Sequence, residues 1–191
     1  MSTHPKNYIT PEQYLEIERK AEYESEYCAG EMFAMAVAKF PHNLIKMNAA
    51  MHLAWQLRPL PCRVCSSDQR VLIAPTGLYT YPDIIVVCGE PKFLDGQLDT
   101  LLNPTLIAEV LSPSTEDFDR GRKFGHYRAI ESLKVYLMIS SESVGAELFA
   151  RQSDGKWKLM AESDRLEDTI ELESVACRLK LADLYEKVEL I

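Results

Sequence analysis

The chain has 191 residues, 47% hydrophobic and 26% charged, with a formal net charge of −8 at pH 7 and a pI of about 5.1. Such a length and apolar content suit one domain with a sizeable core and exclude collagen-like or extensively disordered sequence. The acidic balance argues against strong non-specific nucleic-acid binding, although it does not forbid a basic cleft.

The first residues, MSTHPKNYITPEQY, lack the apolar stretch of a signal peptide. No run of about 18 apolar residues marks a membrane span. A cytoplasmic protein without membrane partners is therefore expected, with residues 1–9 as a flexible start. The five cysteines, Cys28, Cys62, Cys65, Cys88 and Cys177, are odd in number and scattered, so free thiols in a reducing compartment are expected.

Thr10-Pro11-Glu12 opens a helix, with Thr as N-cap, Pro at the first helical position and an acid in the first turn; it runs to about Lys20. Tyr23 to Tyr27 and Met32 to Val37 flank Ala29-Gly30 as a hairpin. A longer helix spans Pro41 to about Leu57, with Leu44, Met47, Met51, Leu53 and Trp55 as its apolar face. Cys62 to Cys65 and Arg70 to Ala74 follow as short strands.

YPDIIVVC (Tyr81 to Cys88) and TLIAEVL (Thr105 to Leu111) are nearly continuous apolar runs, as in strands buried on both faces. The polar stretch Gly89 to Asn103 between them is a loop. Ser114 with Asp117 resembles a capping box opening a helix from about Glu116 to Ala129. Leu133 to Ser140 is a third buried strand. Gly145 to Arg151, Lys156 to Ala161 and Thr169 to Leu172 form a meander, and Leu181 to Lys187 a last helix. No repeat or linker divides the chain, so a single α/β domain over residues 1–191 is expected.

The chemically informative residues are acids inside apolar strands. Asp83 opens Ile84-Ile85-Val86-Val87, and Glu109 interrupts Leu106 to Leu111. A buried carboxylate costs several kcal/mol unless paired or metal-bound. Two such acids converging from neighbouring strands make an oxygen-rich site that suits Mg²⁺. The next helix offers Lys123, with Asp119 and Tyr127 one turn to either side. A lysine there can orient a nucleophilic water and stabilise charge on phosphorus. The bland alternatives are a strand-end hydrogen bond for Asp83, an ion pair with Arg128 for Glu109 and a solvated helix face for Lys123. Cys62-x-x-Cys65 has no second pair to complete a zinc site. His42, near a helix start, is assigned a structural role.

Tyr81-Pro82-Asp83, the stretch Pro104 to Thr115 containing Glu109-Val110-Leu111-Ser112-Pro113-Ser114-Thr115, and Asp119 to Tyr127 resemble a large bacterial family of restriction-endonuclease-like proteins within the PD-(D/E)XK nuclease superfamily. The similarity covers most of residues 10–190. It implies a restriction-endonuclease-like α/β (α+β) core, with a central mixed β-sheet flanked by helices. An N-terminal helix and hairpin and a C-terminal β-meander are added to it. It implies a Mg²⁺-dependent endonuclease (Mn²⁺ as a substitute) acting on DNA, and a homodimer. Asp83 and Glu109 match the two acids, and the Val110 carbonyl would also face the metal. The pattern's lysine position holds Leu111, so the lysine is expected to have migrated to Lys123. Glu26, before the hairpin turn, is the candidate extra acid, with Asp68 as a further one. The Leu111 departure leaves open a second reading, a catalytically inactive nucleic-acid-binding or partner-binding module on the same fold. Arg120, Arg122, Lys123 and Arg128 form the densest basic patch and are a candidate rim for phosphates.

Overall fold

A computed structural model describes residues 8–190. The expectation for the N-terminus falls outside it for residues 1–7. Ile9 is held in place: its amide donates to the Gly30 carbonyl at 3.1 Å, and its carbonyl accepts from the Tyr27 hydroxyl at 2.8 Å.

Helix α1 (Pro11–Glu18) begins as its sequence dictates. Thr10 accepts from the Gln13 amide, and the Gln13 side chain returns the bond to the Thr10 amide, so two of the orphan N–H groups at the helix start are satisfied. Strands β1 (Ser25–Cys28) and β2 (Glu31–Ala34) pair antiparallel. Both turn residues between them, Ala29 (φ 51°) and Gly30 (φ 88°), lie in the left-handed region, as a two-residue hairpin turn requires.

Helix α2 (Phe40–Leu57) corrects the face assigned from sequence. It buries His42, Ile45, Ala49, Ala50, Leu53 and Leu57, whereas Met47, Met51 and Trp55 are exposed. The buried set follows i, i+4, i+8 through Ile45, Ala49 and Leu53, and the two alanines let the helix lie close to the sheet. Large side chains dominated the pattern, but small ones mark the contact.

The central sheet has six strands in the order β11-β10-β9-β8-β6-β3. Its members are β3 (Cys62–Ser66), β6 (Ile84–Cys88), β8 (Leu106–Leu111), β9 (Val135–Ser140), β10 (Ala146–Arg151) and β11 (Trp157–Ser163). It is mixed, because β8 and β9 run parallel while its other pairs are antiparallel. The meander strands β10 and β11 thus extend the central sheet instead of standing apart. A second sheet has the order β2-β1-β5-β4-β7. It adds β4 (Arg70–Ile73), β5 (Leu78–Thr80) and the two-residue β7 (Thr100–Leu101). β7 lies inside the stretch expected to be wholly loop. Strands β12 (Thr169–Leu172) and β13 (Cys177–Lys180) form a small ribbon before α5 (Leu181–Leu184).

Alternation along the central strands explains the two cores. Ile84, Val86, Leu106, Ala108, Val110 and Leu137 face α2 and α5. Ile85, Val87, Ile107, Leu111, Tyr136 and Met138 face the opposite layer, with Phe124 and Tyr127. By the same period of two, Asp83 and Glu109 belong to the second face. Among the described residues, no helix is long and apolar enough to cross a membrane.

The free-thiol expectation is corrected for one pair. Cys62 and Cys88 are directly opposite in the antiparallel β3–β6 register and form a disulfide. Cys28, Cys65 and Cys177 are free.

Candidate active site

The helical stretch after β8 is not one regular helix. It comprises α3 (Glu116–Phe118), a π-helical turn (Asp119–Lys123) and α4 (Phe124–Tyr127). The expected Ser114–Asp117 capping box is absent: Thr115 is the N-cap and makes no side-chain capping bond. The wider π turn, a form common at functional sites, buries both Asp119 and Lys123 while leaving Arg120 and Arg122 exposed.

This segment lies over the sheet face that carries the strand acids. Lys123 Nζ is 2.9 Å from Glu109 Oε1, 3.2 Å from Glu26 Oε1 and 3.5 Å from Asp119 Oδ1. The Tyr127 hydroxyl donates to Glu109 Oε1 at 2.6 Å. Asp83 and Glu109 clasp each other's backbone: the Asp83 amide donates to Glu109 Oε2 at 3.1 Å, and the Val110 amide donates to Asp83 Oδ2 at 2.8 Å. Extending the Ile84↔Ala108 register by one residue sets Asp83 opposite Glu109. Glu26 arrives from β1 and also accepts from the Thr80 hydroxyl. These groups sit at the floor of a pocket of about 1000 Å³.

Four sequence candidates, Asp83, Glu109, Lys123 and Glu26, are thus brought together. Val110 contributes its amide to the acid cluster. Asp68 does not join; it is exposed beyond β3, and its charge is felt at Glu24, whose carboxyl is raised first by burial and then by Asp68. Arg128 lies over the Phe124 ring at 5.2 Å, and Lys123 pairs with Glu109 in the place proposed for it. Two participants were missed. His42 Nε2 is 3.1 Å from Asp83 Oδ2, so its place near the helix start puts it against a site acid. Asp119, noted only for its spacing, completes the acids around Lys123. The signal for His42 was its place one helical turn before Lys46, which also lines the pocket.

Comparison with known proteins places the chain in a family. Residues 11–182 match the family Uma2, described as "Putative restriction endonuclease". The chain belongs to the Uma2 family. Two uncharacterised proteins of Synechocystis sp. are related to it. One is 36% identical over 162 residues, covering 83% of this chain and 92% of the relative. The other is 33% identical over 177 residues, covering 93% and 91%. A crystal structure from Anabaena variabilis, described as "a putative nuclease belonging to DUF820", superposes with a TM-score of 0.77 at 18% identity. It covers 95% of this chain and 99% of the other. That likeness establishes a shared fold with α and β elements around a mixed sheet.

Burial sets the electrostatics of the Uma2 site. It pushes the Glu109 carboxyl up to about 8, with Lys123 pulling the other way. Burial also opposes the charge on Lys123, but Glu109, Tyr127, Glu26 and Asp119 outweigh it and hold the ammonium well above the ordinary lysine value. The Tyr127 hydroxyl is raised by burial and then by Glu109, which keeps it protonated as a donor. Burial is the largest single influence on Asp83 and pushes its carboxyl up, but His42, the Val110 amide and the Lys46 charge together outweigh it and hold the carboxyl below the usual value.

A second polar network anchors the Pro82-Asp83 turn from behind. Buried Arg70 donates to Tyr81 Oη at 2.8 Å and to Thr100 Oγ1 at 3.0 Å, and pairs with Asp99 at 2.9 Å. Tyr81 in turn donates to Glu18 Oε1 at 2.8 Å. Removing Arg70 takes the buried donor away from the Tyr81 and Thr100 hydroxyls, at a cost of about 1–3 kcal/mol for each buried group left unsatisfied. Arg70→Leu is therefore expected to destabilise the Uma2 chain by about 3 kcal/mol, read as a lower urea midpoint with an unchanged slope.

Proposed function

We propose that this Uma2 chain is a Mg²⁺-dependent nuclease that hydrolyses DNA phosphodiester bonds, with Lys123 standing in for the motif lysine that Leu111 replaces. One observation carries the proposal: a buried ammonium held by three carboxylates, with Asp83 beside them, at the floor of a pocket. The donor chemistry fits a hard cation, because Asp83, Glu109 and Glu26 offer oxygens around a point that already attracts positive charge. Among the described residues no three such side chains are arranged as a ready metal cage, so side-chain rotation would accompany binding. When bound, the ion would polarise the phosphate and lower the pKa of a water.

The remaining work falls to the chain's own groups. Asp83 and Glu109 bind the ion, oriented by the Val110 amide and the Tyr127 hydroxyl. His42 fixes the rotamer of Asp83. Lys123 holds its proton at Nζ, donates to the attacking water and stabilises charge developing on the phosphoryl oxygen. Glu26 keeps that ammonium aimed into the pocket.

The second reading, a non-cutting module that binds nucleic acid or a partner, is favoured by Leu111 and by carboxylates already satisfied by Lys123, Tyr127, His42 and backbone amides. A cleavage assay on supercoiled and linear DNA with Mg²⁺ or Mn²⁺ separates the two. Metal-dependent cutting that stops with chelator and falls at least about a hundredfold in Asp83→Asn is the expected result. Cutting that persists in Asp83→Asn would sink this site assignment. DNA binding without any cutting by the unaltered protein would favour the module.

A further inference from the structure

Part of the pocket wall, beside Glu26, is apolar. Glu26 and Phe33 are direct partners in the β1–β2 register, so their side chains share one face of the hairpin. The Met35 amide donates to the Glu24 carbonyl at 3.2 Å, continuing the pairing two residues on. The hairpin therefore carries Phe33 and Met35 beside the acid that holds Lys123. Phe33 is 50% exposed, Met35 40%, Val37 97% and Tyr23 81%, and all four line the pocket. Large apolar side chains left open beside buried charge mark a surface made for a ligand with a flat apolar face.

Basic groups suited to a duplex backbone are few here. Lys39 and Lys46 line the pocket, and Lys46 Nζ is bound to Ser67 Oγ at 2.6 Å. Among the rim candidates, Arg120 is paired with Glu116 and Glu147, and neither it nor exposed Arg122 and Arg128 lines the pocket. Glu22, Glu24 and Glu142 add negative charge to the mouth. A binder of duplex DNA draws most of its affinity from phosphate contacts. This site has little to offer them and much to offer a base.

We infer that the substrate of this site is an unpaired nucleotide in a single-stranded or frayed DNA segment, whose base stacks on Phe33 while its phosphate meets Lys123 and the acids. Base–aromatic stacking supports strand binding without a long basic groove. A volume of about 1000 Å³ is in the range of pockets for compact ligands. A paired base must first be unstacked and turned out to enter it. The inference rests on the nuclease reading for the identity of the ligand, and its test is a binding measurement that does not need cleavage.

The test is fluorescence anisotropy of a labelled single-stranded oligodeoxynucleotide and of its blunt duplex, with the full chain in chelator. The single strand is expected to bind at least about tenfold tighter. Phe33→Ser is expected to weaken it by about tenfold or more, while Phe33→Tyr stays within about threefold, because every base stacks on any aromatic ring. The plot of log affinity against log salt is expected to be shallow, with a slope between 0 and about −2. Equal or tighter duplex binding, or a Phe33→Ser affinity matching the unaltered chain, would overturn the inference. A parallel cleavage assay keeps the two claims apart. Duplex-preferring cutting that depends on Asp83 would sink the unpaired-base substrate and leave the nuclease. Strand binding through Phe33 without cutting would sink the nuclease and leave the binding surface.

Discussion

Glu109→Gln is expected to lower metal-dependent cleavage by about a thousandfold, the scale of several kcal/mol of lost metal-assisted charge stabilisation. Glu109 is 3% exposed and accepts from the Tyr127 hydroxyl, the Asp83 amide and the Lys123 ammonium. Glutamine keeps the shape, and one amide oxygen still accepts from a neighbour. It removes the charge that would hold a divalent ion and turns an NH₂ group toward groups that are themselves donors. Single-turnover cleavage, with circular dichroism to verify the fold, is the measurement. A folded variant that cuts at the unaltered rate would exclude Glu109 from the chemistry.

The second large effect is on stability. Lys123→Met removes the cation that, among the described residues, contacts Glu26, Glu109 and Asp119. Methionine fills similar space, so lost packing is minor, but the carboxylates are left buried against one another. Breaking a buried ion pair from one side costs about 3–5 kcal/mol. The pH dependence follows from the direction of the shifts. Burial already raises Glu109 from 4.5 to about 8, and burial raises Asp119 as well. A group whose carboxyl is raised on folding binds its proton more tightly in the folded chain. Its favourable contribution is complete below the unfolded value and is lost as pH rises through the folded one. Without Lys123 the folded values rise further. The variant is therefore expected to be much less stable than the unaltered chain at pH 8 and to recover much of the difference near pH 5. Mg²⁺ at neutral pH is expected to restore part of it by taking the place of the ammonium. Thermal melts across this pH range, with and without Mg²⁺, are the check. A melting temperature for Lys123→Met that matches the unaltered chain throughout would show that the ammonium is not what keeps the acids together.

Much of this layout was legible because burial writes itself into strand sequence. YPDIIVVC and TLIAEVL have no solvent face, so Asp83 and Glu109 stood out as charges without a bland location. The resemblance then tied them to Lys123 and Glu26, and the structure brings all four together. Asp119 and His42 were not singled out in the same way, for a physical reason. Asp119 lies among helix residues whose burial depends on the π turn, and no local pattern distinguishes that turn from regular helix. His42 sits one turn into a helix whose contact face was misjudged, because its exposed side chains, Met47, Met51 and Trp55, are larger than the buried Ala49 and Ala50.

The sequence by itself determined the strand acids, their chemical type, the capped first helix and the hairpin that delivers Glu26, since each depends on neighbours within a few residues. Only the tertiary structure decided that Asp119 joins the acids around Lys123, that His42 braces Asp83, that Arg70 holds the turn from behind and that Phe33 faces the site. Those facts depend on strand register and on the seating of the helical segment against the sheet. Both are set by packing between residues distant in the chain, and no local run of amino acids encodes them.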